Sequence, residues 1–146
     1  MLLKLICVIL IASNEVIWGV CMGEIAERWK IEAVLTLVRR TQLECFRVVG
    51  SSEPSSKTRI FMKAIGYRDV DVHQAVRELE VVDYSSGPLK DDRGRPRDLW
   101  VFGKYLEEYE VYIKLAAYLI GGDVRAVCVS FHEAEWPLTY PYKKAG

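Results

Sequence analysis

The order of periodicities along this chain predicts an α+β fold, with N-terminal helices packed on one face of a mostly antiparallel C-terminal sheet. Two observations carry that expectation. Between residues 25 and 79 apolar side chains recur at helical spacing, and between residues 99 and 132 they form short strand-like runs broken by tight turns. Composition agrees: 146 residues, 51% of them hydrophobic and 27% charged, suit one packed domain rather than a disordered chain.

The chain is divided into a segment 1–21 and a single α+β domain over 22–146. Residues 1–11 are almost wholly apolar around Lys4, and Ala12, Ser13 and Asn14 follow. Three readings stay open there: a mis-assigned start with Met22 as the true one, a signal-like leader, or a structural segment or anchor. The run is short for a membrane span, which needs about 20 apolar residues. No membrane partner is expected if translation starts at Met22. Cys45 and Cys128 remain beyond the leader, with no CxxC pair, which fits a cytoplasmic location.

Residues 25–40 read as an amphipathic helix whose stripe is Ile25, Trp29, Ala33 and Leu37, widened by Val34 and Val38. Arg39 and Arg40 close it. Residues 42–49 are ambiguous. A second helix is expected over 57–65, capped by Ser55 or Ser56 and ended by Gly66. A third is expected over 72–79, capped by Asp69 or Asp71, with His73 exposed opposite its apolar stripe. Residues 81–84 read as a short strand. Residues 85–98, SSGPLKDDRGRPRD, read as an irregular, mobile loop.

Three strands follow, at 99–106, 109–119 and 124–132, joined by Glu107-Glu108 and by Gly121-Gly122-Asp123. Alternation places Val111, Ile113, Leu115 and Ala117 on one face of the middle strand, and Tyr112, Lys114, Ala116 and Tyr118 on the other. The same rule sets Val127, Val129 and Phe131 apart from Ala126, Cys128, Ser130 and His132. The aliphatic faces are expected under the helices. The open face then gathers Tyr112, Lys114, Ser130 and His132.

A net charge of zero does not favour a nucleic-acid binder, although a local basic patch can act on a neutral protein. No P-loop, dinucleotide fingerprint, nucleophile elbow or HExxH spacing occurs, so no cofactor or metal is expected.

The segments WVFGK (from Trp100), VYIKL (from Val111) and VSFHEAEWPLTYPYK (from Val129), with DYSSGP from Asp83 upstream, resemble the MqsR-type toxins of toxin–antitoxin modules. The resemblance covers residues 31–143. It implies a RelE-like fold, endoribonuclease activity on mRNA, and neutralisation by a cognate antitoxin protein. Tyr112 and Lys114 match the family's VYxK strand near its active site, and Tyr84 matches a tyrosine in the preceding strand. The chain departs from the best-studied type at Ser85 and His132, where that type carries lysine. The expected catalytic set is therefore His132, Lys114, Tyr112 and Tyr84. Arg93, Arg95, Arg97 and Lys104 are expected to hold the RNA backbone. A non-catalytic RNA-binding or antitoxin-binding protein on the same fold, and a secreted small α+β protein, are the alternatives.

Overall fold

The computed structural model describes residues 6–10, 16–20 and 24–144. Ile6–Leu10 (β1) and Val16–Val20 (β2) pair antiparallel as a two-stranded sheet of their own. The remaining leader positions, including Cys21, lie outside the described residues.

Among the described residues three α-helices precede the C-terminal strands, so the class is α+β. The helices are Arg28–Arg40 (α1), Lys57–Ile65 (α2) and Asp69–Arg77 (α3). The strands are Phe46–Val48 (β3), Tyr84–Lys90 (β4), Asp98–Leu106 (β5), Tyr109–Ile120 (β6) and Asp123–Glu133 (β7). They form one sheet in the order β3-β7-β6-β5-β4, antiparallel except for the β3–β7 pair. Among the described residues no helix is long and apolar enough to cross a membrane.

Helix α1 buries Ile31, Val34, Leu35 and Val38. This corrects the expected stripe: Trp29 is 61% and Ile25 49% exposed. Two apolar rows fit the helical period here, on opposite sides. The sheet takes the row that closes into a tight i, i+3, i+4, i+7 cluster. Helix α2 is capped by Ser56, whose hydroxyl accepts from the Arg59 N–H at 2.9 Å. It ends at Gly66 in the left-handed conformation, φ 73°. Helix α3 begins earlier than expected, at Asp69, and Asp71 reaches back to accept from the Arg68 N–H at 2.8 Å.

His73 is buried, not exposed. It lies three residues before Val76 and so flanks the apolar stripe rather than opposing it. Its Nε2 lies 2.8 Å from the Thr41 carbonyl, and its ring packs 4.8 Å from Phe46. The ambiguous stretch after α1 resolves into a 3-10 turn, Leu43–Cys45, and then β3. Residues 81–83 are likewise a 3-10 turn rather than a strand.

The expected long loop is corrected as well. Its first half is the edge strand β4, which pairs with β5 through two register irregularities. Gly87 lies within the second, between Ser86 and Leu89, with φ 113°, and a Cβ there would lie 2.8 Å from the Leu99 carbonyl oxygen. Only glycine fits both the angle and the approach. The second half folds around Asp91, which is 8% exposed. The Asp91 carboxylate accepts from the Arg93 N–H at 2.9 Å and from Arg97 Nε at 2.8 Å.

Those bonds hold the Asp91 carboxyl below the usual carboxylate range, first through the Arg93 N–H and then through the Arg97 guanidinium. The ion pair's stabilisation is therefore complete above the unfolded value, about 3.9. It is lost as pH falls through the lower folded value. Wild-type melting temperature is expected to drop on acidification below about pH 4 more steeply than that of Asp91→Asn, which has no such charge to lose. Equal acid sensitivity of the two proteins in thermal scans would contradict this.

Tyr84, expected at the site, is 0% exposed and sits in the core. Its hydroxyl donates to the Gly87 carbonyl at 2.6 Å and accepts from the Ala26 N–H at 3.0 Å. Tyr84→Phe keeps the ring but leaves both backbone groups unpaired. A loss of about 1–3 kcal/mol for a group so stranded is expected. It would be read as a lower urea midpoint with an unchanged slope.

Candidate functional site

The site rests on the β6–β7 ladder. Tyr112 stands directly opposite His132, and Lys114 opposite Ser130. The Tyr112 and His132 rings stack with centroids 5.4 Å apart and planes at 19°. All four side chains are partly exposed. Thus the three expected residues Tyr112, Lys114 and His132 come together on one face, and Tyr84 does not join them.

A β-bulge follows at once. Lys114 pairs with Ser130, but Leu115 pairs with Cys128, so Val129 is an extra residue on β7. The bulge inverts the alternation below it. Phe131 and Cys128 both face the helices, while Val127 turns to the other side. This corrects the expected burial of Val127 and Val129 under the helices. Val127 is 8% exposed but outside the helix-side core, and Val129 is only partly buried. Val111, Ile113, Leu115 and Phe131 are buried there, each at 1% exposure or less.

Residues 134–142 run back across the face as a strap. The Leu138 N–H and the Tyr140 hydroxyl donate to the two oxygens of Glu110, at 3.0 and 2.8 Å. The Tyr142 hydroxyl donates to the Ala26 carbonyl at 2.6 Å. Gly103, across from Tyr112 on β5, makes room for the strap: a Cβ there would collide with the Tyr140 hydroxyl and lie 2.6 Å from Leu138 Cδ1. Burial and the Glu110 carboxylate push the Tyr140 hydroxyl pKa upward, so that hydroxyl stays a donor. At the other end of the face, Arg95 and Arg97 line one cleft with Tyr118 and Val127. The face read as open is therefore bounded at both ends.

His132 lies where β7 has run past β3, so its outer edge meets α2 instead of a strand. The Phe131 N–H donates to Thr58 on α2 at 3.2 Å. His132 lines a cavity of about 380 Å³ with Lys57, Ile60, Phe61 and Glu135. That volume falls in the range of small-ligand sites. His132 Nδ1 lies 2.9 Å from the Glu133 carbonyl. A carbonyl only accepts, so this contact assigns a proton to Nδ1. Lys57 pairs with Glu135, and that contact holds the Glu135 carboxyl below its usual range, with the His132 ring a smaller contributor.

Burial raises the Tyr112 phenol above its ordinary value, so it stays protonated and can donate. Burial also pushes the Cys128 thiol up to about 12, which removes it as a nucleophile near neutrality. Among the described residues no group of three or more His, Cys, Asp or Glu is arranged to hold a metal ion.

The expected RNA-holding cations separate. Arg95 and Arg97 face the cleft, with Arg97 also tied to Asp91. Arg93 is exposed but does not line it. Lys104 pairs with Val111 and so shares the helix-side parity, and its Nζ reaches the Glu78 carboxylate at 3.6 Å, at the end of α3. A cation suits a helix C-terminus. Sequence reasoning missed Lys57 and Glu135 beside His132, and Arg47 and Arg125 in the cleft. Arg125 was not legible, because strict alternation counts it with Val127 and Phe131 on the helix side. Neither was Arg47, because its strand was unassigned. No family model, curated protein or solved structure matches the chain.

Proposed function

We propose that this chain is an endoribonuclease toxin of the MqsR type, on a RelE-like fold, that cleaves mRNA without a metal ion and is neutralised in the cytoplasm by an antitoxin. The observation that carries the reading is the Tyr112–His132 stack with Lys114 on the next rung of the same face.

The chemistry needs a base for the 2′-hydroxyl proton, a cation for the phosphorane and a donor for the departing 5′-oxygen. His132 Nε2 takes the proton as the 2′-oxygen attacks phosphorus. Lys114 stabilises the charge that develops on the non-bridging oxygens. The protonated Tyr112 phenol donates a hydrogen bond or stacks on a base. The P–O5′ bond then breaks as the His132 imidazolium returns a proton to the departing 5′-oxygen, directly or through a water, leaving a 2′,3′-cyclic phosphate and a 5′-hydroxyl.

A second reading, a non-catalytic RNA-binding or antitoxin-binding protein, draws on the burial of Tyr84, which takes one resemblance residue out of reach of substrate. Tightly controlled expression tests the two, with growth and mRNA integrity followed. Purified protein is then given a defined mRNA in EDTA, and the new ends are analysed. Cyclic phosphate and 5′-hydroxyl ends are expected. Intact mRNA, or a strict need for divalent metal, would overturn the catalytic reading.

A further inference from the structure

The end of the sheet face remote from His132 carries a cleft of about 490 Å³ whose cations are all arginines: Arg47, Arg95, Arg97 and Arg125. They arrive from three places. Arg47 sits on β3 opposite Val127, Arg125 sits on β7 opposite Tyr118, and Arg95 and Arg97 come from the turn after β4. Arg47 and Arg125 share a face because their partners on β7, Val127 and Arg125 itself, are two residues apart with no bulge between them. Glu44 is the acid among the lining residues. Arg97 is held by Asp91 at 2.8 Å, which fixes the turn in place. In a chain of net charge zero this is a local excess of positive charge.

We propose that this cleft is the subsite that grips the backbone of single-stranded RNA and stacks one of its bases on Tyr118, an inference that rests on the ribonuclease reading above. Arginine forks match phosphate oxygens bidentately, and their planes stack on bases. An acidic peptide would use the same forks, but a partly exposed phenol ring opposite Arg125 adds the flat surface that single-stranded RNA modules use. Tyr118 lies four residues along β6 from Lys114, about 13 Å at strand rise, on the same face. One oligonucleotide can therefore cover both the cleft and the Lys114–His132 rungs.

The test is fluorescence anisotropy with a labelled 2′-O-methyl oligonucleotide, which lacks the attacking hydroxyl and so reports binding apart from cleavage. The double variant Arg47→Ser/Arg125→Ser is expected to bind at least roughly tenfold more weakly, with its salt slope reduced by about 1.4. Arg47→Lys/Arg125→Lys keeps the charge and fold but loses the forks, and an intermediate loss is expected. Tyr118→Leu is expected to weaken binding at least roughly fivefold with no change in salt slope. Wild-type affinity in all three would overturn the proposal. So would competition by poly-glutamate as effective as that by unlabelled oligonucleotide, which would make the cleft an acidic-peptide site. Arginine-dependent binding by a protein that leaves RNA intact would support the subsite while removing the cleavage reading. Cleavage of RNA by a protein whose double variant binds normally would do the reverse.

Discussion

Replacing His132 with alanine is expected to slow RNA cleavage by about 10²–10⁴-fold, the usual contribution of a positioned acid or base. The fold should survive, because the ring is partly exposed and its removal empties only the stack with Tyr112 and one wall of the cavity beside α2. Lys114→Ala should also cut the rate, and Lys114→Arg should restore part of it if the role is charge rather than proton transfer. Circular dichroism and melting checks separate loss of chemistry from loss of structure. Wild-type cleavage by the His132→Ala protein would remove His132 from the mechanism.

Phe131→Ala, one residue away, is expected to act on stability instead. Phe131 is 0% exposed, sits opposite Ile113, and packs between Phe61 of α2 at 5.9 Å and Tyr67 at 6.0 Å. Removing a buried aromatic ring typically costs about 3–5 kcal/mol. That is a large part of the roughly 5–15 kcal/mol that holds a domain together. Urea titration should show a lower midpoint with the slope retained. A loss near zero would mean that the ring does not face the helices. The contrast between neighbours is itself informative: adjacent strand residues point to opposite faces, so one substitution should read in the rate and the other in the midpoint.

The bulge at Val129 explains how far the site was legible. Strict alternation holds from Ser130 to His132, and there it places Tyr112, Lys114, Ser130 and His132 on one face. Below the bulge it fails. Val127, grouped with Phe131 by counting, is on the other side with Arg47 and Tyr118, and so the cleft was invisible to that count. One extra residue inverts every later position, and nothing local in VCVSF announces it.

Local chemistry determined the class of the fold. The helical spacing around Val34 and Val38, the Ser56 cap, the Gly66 stop and the turn at Gly121-Gly122 act within a few residues, and the chain folds as they dictate. Tertiary structure alone decided which apolar row of α1 is buried, that residues 84–90 pair as an edge strand, and that β3 lies parallel to β7. It also took Tyr84 and His73 into the interior, and laid the 134–142 strap over Gly103. Each of these depends on a partner distant in sequence: Ala26 for the Tyr84 hydroxyl, Thr41 for His73, Glu110 for the strap. Periodicity reports how a residue stands relative to its neighbours. Which of two equivalent faces is buried depends on the surface that arrives to cover it.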